Sequence, residues 1–220
     1  VPSQTNTRDL LRGLPVFPAA MPEFDPDSAP EDPVTLFGVW LESAIHAGVP
    51  APHAVTLSTV DGHGRAAARV LIVKDADSSG WSFATHADSP KARHIAANAS
   101  VALTFFWVQQ GRQIRLRGTA TPMDAATNAR DFRARPADSR AATLVGRQSE
   151  TLGDESEYRS ALARATEQVA ADPEIVSPSW TVYRVQPASV EFWQGSHDRA
   201  HIRLLYDKPA GTWRKRRLWP

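Results

Sequence analysis

His53–Thr85 reads HAVTLSTVDGHGRAAARVLIVKDADSSGWSFAT. His53–Val60 alternates in part between apolar and polar residues, and Asp61-Gly62-His63-Gly64 has the composition of a turn. Arg65–Lys74 reads as a second strand, with Val70, Leu71, Ile72 and Val73 as a buried run. Asp75–Gly80 is another turn, and Trp81–Thr85 a third strand. Strands joined by short Gly- and Asp-rich turns make an antiparallel meander, since a tight hairpin reverses the chain.

Further along, Ser89-Pro90-Lys91 opens a short helix to about Asn98, Ser89 as cap and Pro90 in the first position. Val101–Val108 and Gln113–Thr121 read as strands around Gln109-Gln110-Gly111. Asp124 to about Gln148 is helical or looped, and Asp154 to about Ala171 is a clearer helix. Four strands follow: Ser179–Gln186, Ser189–Gly195, His201–Asp207 and Thr212–Leu218. Upstream, Asp32 and Pro33 start a helix to Gly48 whose apolar face is Leu36, Phe37, Trp40, Leu41, Ala44 and Ile45. Residues 1–31 are a Pro-rich extended arm. Its Leu10, Leu11, Leu14, Val16, Phe17, Met21 and Phe24 are too many for a solvated tail, so part of it should lie on the body or on a partner subunit. Residues 32–220 form one domain. Strands, helices, then strands without βαβ alternation predict a mainly β fold: an antiparallel barrel or sheet with peripheral helices.

The 220 residues carry a net charge of +1 and are 42% hydrophobic, enough for a core and too balanced for a generally basic nucleic-acid binder. With no Cys, disulfides, thiolate nucleophiles and Zn–Cys sites are excluded. No apolar stretch is long enough to span a bilayer and no basic-then-apolar leader is seen, so a soluble cytoplasmic protein is expected. No Gly-x-Gly-x-x-Gly, Walker-type or Gly-x-Ser-x-Gly motif occurs. His197 and His201 are four apart but enter a strand, so helical metal-ligand geometry does not apply and no metal is expected. Arg214-Lys215-Arg216-Arg217 lies in a strand, where side chains alternate between faces; it reads as solvated strand, ion pairs and subunit contacts.

The chemistry-bearing residues are scattered. Arg69 and Lys74 bracket an apolar strand, an arrangement that is costly unless an anion meets the charges. Thr85 ends the next strand, and Ser89 and Lys91 open a helix. Hydroxyls, a helix N-terminus and ammonium groups together suit a phosphate dianion.

This ordered set, with Arg112-Gln113, Arg135-Pro136-Ala137-Asp138-Ser139, Arg147-Gln148-Ser149 and Glu191-Phe192-Trp193-Gln194-Gly195 followed by Arg199-x-His201-x-Arg203, resembles the pyridoxamine 5′-phosphate oxidase family of FMN enzymes. The resemblance runs from His53 to the end. It implies a split β-barrel with Greek-key order, working as a homodimer with FMN at the subunit interface. Arg69, Thr85, Ser89 and Lys91 then face the FMN phosphate and its chain, with Val70 and Ala84 beside them. Lys74 lies nearer the ring. Gln113, Gln148, Ser149, Trp193 and Arg203 are further flavin contacts, some from the second subunit. Arg199 and His201 lie over the ring as the catalytic and substrate-orienting pair, with His201 as proton acceptor. Lys74, Arg135 and Ser139 match substrate-gripping positions.

Three positions depart from the family pattern. Pro90 replaces a basic residue and Ala84 an aromatic hydroxyl. Asp131 stands where vitamin B6 oxidases carry a Tyr that helps hold the substrate phosphate, and an anion there repels a phosphate. The Arg147–Glu150 run (Arg-Gln-Ser-Glu) resembles instead the flavin-dependent oxidase branch of phenazine biosynthesis. That branch implies oxidation of a reduced dihydro- or tetrahydrophenazine carboxylic acid, with O2 as electron acceptor and H2O2 as product. The alternative is a pyridoxamine/pyridoxine 5′-phosphate oxidase.

Overall fold

A computed structural model describes residues 6–220; the first five residues of the arm lie outside the described residues. In chain order the elements are α1 (Thr7–Arg12), α2 (Pro33–His46), β1 (Ala54–Val60), β2 (Ala66–Asp77), β3 (Gly80–His86), α3 (Pro90–Ala97), β4 (Ser100–Trp107), β5 (Arg112–Pro122), α4 (Ala125–Arg133), α5 (Ala137–Val145), α6 (Glu155–Ala171), β6 (Trp180–Gln194), β7 (Ile202–Asp207) and β8 (Arg214–Leu218). They fall into two compact units: residues 53–105 with 115–190, and residues 1–52 with 106–114 and 191–220.

The first unit is the barrel. Its strands follow the order β3-β2-β1-β4-β5-β6, and β6 pairs back onto β3, closing a six-stranded antiparallel barrel. The run β3-β2-β1-β4 is a Greek key, since the chain leaves β3 and returns beside β1. The register sets Arg69 opposite Leu57 and Phe83 opposite Tyr183. Leu57, Phe83, Leu103, Phe105 and Leu116 are fully buried, and inward residues alternate with outward ones along β1 and β4. Helices α3–α6 are peripheral. Ala141, Ala165 and Val169 make a small satellite core where α5 and α6 meet.

Three sequence expectations change here. Val70–Val73 is not a buried run: β2 has one face outward, so Val70 is 68% and Ile72 44% exposed while Val73 is buried. Lys74 is not a strand end either, because β2 continues to Asp77. The separate strands expected over 179–195 are one 15-residue strand, β6, that runs through Pro187. Gly118 on β5 makes this possible: a Cβ there would stand 2.2 Å from the Gln186 carbonyl oxygen, so only glycine lets the backbones close beside the proline. The ambiguous 124–148 segment resolves into α4 and α5, with the Asp124 carboxylate capping α4 through the Thr127 N–H at 2.7 Å.

The second unit gathers α1, α2, β7, β8 and the end of β6. Asp32 caps α2 through the Thr35 N–H at 2.8 Å, with Pro33 in the first turn, as expected. Leu36, Phe37, Trp40 and Ala44 are buried; Ile45, assigned to the same face, is 57% exposed on the last turn. Trp40 meets Phe24 and Phe192 edge-on at 5.0 and 5.1 Å, and Phe192 meets Tyr206 at 5.7 Å. The arm is thus partly docked, with Phe24 in this aromatic core and the Pro30 carbonyl accepting from the Tyr206 hydroxyl at 2.7 Å. It is not wholly extended: Asn6 caps the short α1, and Leu10, Leu11, Leu14 and Val16 remain exposed. Arg112 is buried over the Trp40 ring and donates to Gln194 Oε1 at 2.9 Å; burial holds its guanidinium down at about 10. On β8, Arg214 and Arg216 pair with Asp207 at 3.2 and 2.9 Å, while Lys215 faces Glu31 at 2.8 Å, the alternation expected of a strand. No helix among the described residues is long and apolar enough to cross a membrane.

Candidate active site

The site residues form two clusters in the barrel unit and one in the other. In the barrel unit, Arg69 projects from β2 and donates to Thr59 Oγ1 at 2.8 Å and to the Leu57 carbonyl at 3.1 Å. Thr85 lies near the end of β3. Ser89 caps α3 by accepting the Ala92 N–H at 3.3 Å, and its hydroxyl lies 3.3 Å from that of Thr85. In the first turn of α3, Lys91 Nζ donates to Thr85 Oγ1 at 3.1 Å and to Gln148 Oε1 at 3.3 Å. Burial pushes the Arg69 guanidinium below its ordinary value. Burial also pushes the Lys91 ammonium down, and the Arg69 charge pushes it further. Neither cation has a carboxylate within ion-pair reach among the described residues. Two mutually repelling, partly desolvated cations beside two hydroxyls and a helix N-terminus suit a multivalent oxyanion. A phosphate monoester of the FMN kind fits this cradle.

A second cluster centres on Trp180 at the start of β6. Its indole Nε1–H donates to Asp131 Oδ2 at 2.7 Å, and Asp131 Oδ1 accepts from Lys74 Nζ at 2.8 Å. The Arg135 guanidinium lies 4.0 Å from the Trp180 ring and donates to Thr143 Oγ1 at 2.6 Å. Burial lowers Arg135 from its ordinary value, and Asp131 opposes that shift. Lys74 and Arg135 are thus brought together against the Trp180 ring. Ser139 contributes its carbonyl to Thr143 rather than its hydroxyl to the cluster. His86, which sequence reasoning missed, is buried with its ring edge-on to Trp180, and Nδ1 lies 3.1 Å from the Ser179 hydroxyl. Burial lowers its pKa first, with Arg135 and Lys91 adding to the effect against Asp88. The available signal was its place directly after Thr85. Of the other expected contacts, Val70 is exposed, Ala84 is half-buried on β3, and Ser149 has φ +71° in the loop that carries Gln148.

In the other unit, Trp193 and His201 rings lie 4.9 Å apart, and Phe17 of the arm approaches them at 5.9 and 6.1 Å. With Pro15, Val16, Phe106 and Arg199 they line a cleft of about 580 Å³. His201 Nδ1 accepts the Ser196 N–H at 3.0 Å, so the neutral ring carries its proton on Nε2. Arg199 holds φ +66°, a conformation unfavourable for a side chain with a Cβ, on the loop before β7. Arg203, expected as a flavin contact, is paired through Nε with Glu191 at 2.8 Å, and its guanidinium also donates to the Trp219 carbonyl at 3.0 Å. Gln113 is half-buried on β5. Phe17 and Phe106 are aromatic residues of this cleft that the motifs did not mark; for Phe17, an apolar side chain in a Pro-rich arm was the signal.

Comparison with known proteins bears directly on this layout. Residues 41–194 match the pyridoxamine 5′-phosphate oxidase family, and residues 180–220 match the pyridoxine 5′-phosphate oxidase C-terminal dimerisation region. The pyridoxine/pyridoxamine 5′-phosphate oxidase of Rubrobacter xylanophilus is 38% identical over 88% of this chain and 89% of its own length. That of Rhodococcus jostii is 38% identical over 84% and 83%. Among solved structures, PhzG from Burkholderia lata, crystallised with tetrahydrophenazine-1-carboxylic acid, superposes with a TM-score of 0.85 at 30% identity, over 94% of this chain and all of that one. A pyridoxamine 5′-phosphate oxidase-related, FMN-binding protein from Nostoc punctiforme shares the fold at 18% identity, with a TM-score of 0.72. A closed six-stranded barrel bearing an anion cradle, with relatives this similar along most of their length, leaves one assignment: the chain belongs to the pyridoxamine 5′-phosphate oxidase family.

Proposed function

We propose that this protein is an FMN-dependent oxidase that converts a reduced dihydro- or tetrahydrophenazine carboxylic acid to the aromatic phenazine. When bound, FMN supplies two-electron acceptor chemistry, with O2 as the final acceptor and H2O2 as product. Arg69, Lys91, Thr85 and Ser89 hold the cofactor phosphate, and Gln148 steadies Lys91. The observation that carries the substrate class is the aromatic cleft of Phe17, Phe106, Trp193 and His201, with Arg199 at its side. Broad apolar walls suit a fused tricycle, and Arg199 bounds it at one side.

We read His201 as an orienting donor rather than as the proton acceptor expected from sequence. With Nδ1 occupied by the Ser196 N–H, the neutral imidazole presents a donor at Nε2, which orients an acceptor atom of the substrate. Formation of an aromatic product supplies its own driving force, so the reading asks for orientation rather than a strong base. A homodimer, suggested by the match of residues 180–220 to a dimerisation region, brings two copies of each half-site together.

A second reading, pyridoxamine/pyridoxine 5′-phosphate oxidase, is favoured by the names of the 38%-identical relatives. The two are separated by mixing the FMN-loaded protein anaerobically with a dihydrophenazine carboxylate and, separately, with pyridoxine 5′-phosphate. Rapid bleaching of the flavin band by the first donor only is expected. Bleaching by the phosphate ester alone overturns the reading.

A further inference from the structure

The two cationic clusters of the barrel unit differ in one respect. Among the described residues, Arg69 and Lys91 stand without a carboxylate, whereas Lys74, which meets the Trp180 ring together with Arg135, is paired with Asp131. That carboxylate is fixed by two partners at once, Lys74 Nζ at 2.8 Å and the Trp180 Nε1–H at 2.7 Å, and both side chains of the ion pair are largely withdrawn from solvent, at 28% and 20% exposed. The indole hydrogen bond matters most. It holds the carboxylate in position from a side Lys74 does not control, so an arriving anion cannot simply displace Asp131 and take the ammonium for itself.

We propose that Asp131 is a specificity-determining residue that acts by neutralising Lys74, and so limits the Trp180 cluster to substrates bearing at most one negative charge. The inference rests on reading the Lys74–Arg135 cluster as a substrate-anchoring site. Two cations alone would attract a phosphate dianion. With Asp131 in place the cluster carries one net positive charge, and a dianion entering it must lie beside a fixed carboxylate in a partly desolvated setting, where like charges repel strongly. A monoanionic carboxylate finds the Arg135 guanidinium, backed by the Trp180 face and steadied by Thr143. One chain thereby holds a site for a phosphate dianion at Arg69 and Lys91 and a site that refuses one at Lys74 and Arg135. The discrimination keeps the phosphorylated end of a cofactor out of the substrate position as well as excluding phosphorylated substrates.

The test compares the affinities of pyridoxine 5′-phosphate and pyridoxine for the FMN-loaded protein, measured by calorimetry. The ratio of the two isolates what the phosphate contributes and is insensitive to general damage. In the wild-type protein the phosphate should improve binding by no more than about threefold; a larger preference overturns the proposal. Asp131→Asn, and Asp131→Ala as a second variant should the amide fold poorly, should raise that ratio by about tenfold, the scale of one additional charge-assisted hydrogen bond. A rise of less than about fivefold overturns the proposal. Asp131→Glu keeps the charge and should keep the wild-type ratio; a ratio that rises there too assigns Asp131 a packing role and overturns it. Failure of the wild-type protein to take up FMN, read first from flavin absorbance, sinks the reading of the whole site, whereas an FMN-loaded protein with an unmoved ratio sinks this inference alone.

Discussion

Arg69 joins sequence, fold and chemistry in one side chain. Its place opposite Leu57 in the β1–β2 ladder aims the guanidinium at Thr59, and its charge lowers the pKa of Lys91. That mutual repulsion is relieved when an anion binds, so each cation should contribute to cofactor affinity rather than to the stability of the free protein. Arg69→Ala should weaken FMN by about 10–100-fold, from the loss of one charge-assisted hydrogen bond, in a fluorescence titration. An unchanged titration removes Arg69 from the cradle. The Arg199 and His201 pair should behave in the opposite way. Replacing both by Ala should slow flavin reduction by the donor while leaving FMN affinity within about threefold, since both belong to the aromatic cleft rather than to the Arg69–Lys91 set. Loss of bound flavin in that variant would reverse the assignment. Arg203 and Lys74 teach a different lesson at this scale. The motif marks both as ligands, but each is already paired, with Glu191 and Asp131, and pairing partners far away in sequence leave no local trace.

At the scale of elements, the β1–β2 hairpin is held by Asp61. Its carboxylate accepts the backbone N–H groups of Arg65 and His63, each at 2.9 Å, and pairs with the Arg65 guanidinium. The Arg65 N–H is the largest of the influences that lower its pKa from 3.8 to about 2. A carboxyl depressed in the folded state contributes stability that is full above the unfolded value and is lost as pH falls through the folded one. Thermal unfolding should therefore show a loss of stability between about pH 4 and pH 2, smaller in Asp61→Asn; an identical pH dependence in the two proteins contradicts the role. This turn was legible in sequence because Asp-Gly-His-Gly between alternating strands has a local mechanism. So were α2 and α3, where Asp32-Pro33 and Ser89-Pro90 place cap and proline together. The outward face of β2 was not legible: Val70 to Val73 is apolar throughout, and only closure of the barrel decides which of the four face out. The single long β6 was hidden for a related reason. Pro187 reads as a break until Gly118, 69 positions earlier, is found lying against it.

At the scale of the molecule, the site residues divide between two compact units, the phosphate cradle and Trp180 cluster in one and the Trp193–His201 cleft in the other. Much of that division was visible as motifs spread along the whole chain, but the pairing of one set with another is not a local property, and no local pattern encodes it. If the working site joins one protomer's cradle to its partner's cleft, two inactive variants should repair each other. Arg69→Ala spoils only the cradle, and the Arg199→Ala/His201→Ala double variant spoils only the cleft. Mixed in equal amounts and allowed to exchange subunits, half the dimers are hybrids, and each hybrid has one site in which both halves are intact. Activity should recover to about a quarter of the wild-type level at subsaturating FMN, set by a two-fold dimer with one good site in half of its members. A site built within one protomer gives no recovery, because every cradle–cleft pair then carries a lesion. The time course of recovery should follow subunit exchange and fall when the protein is diluted below its dimerisation constant, which ties the regained turnover to association rather than to residual activity of either variant.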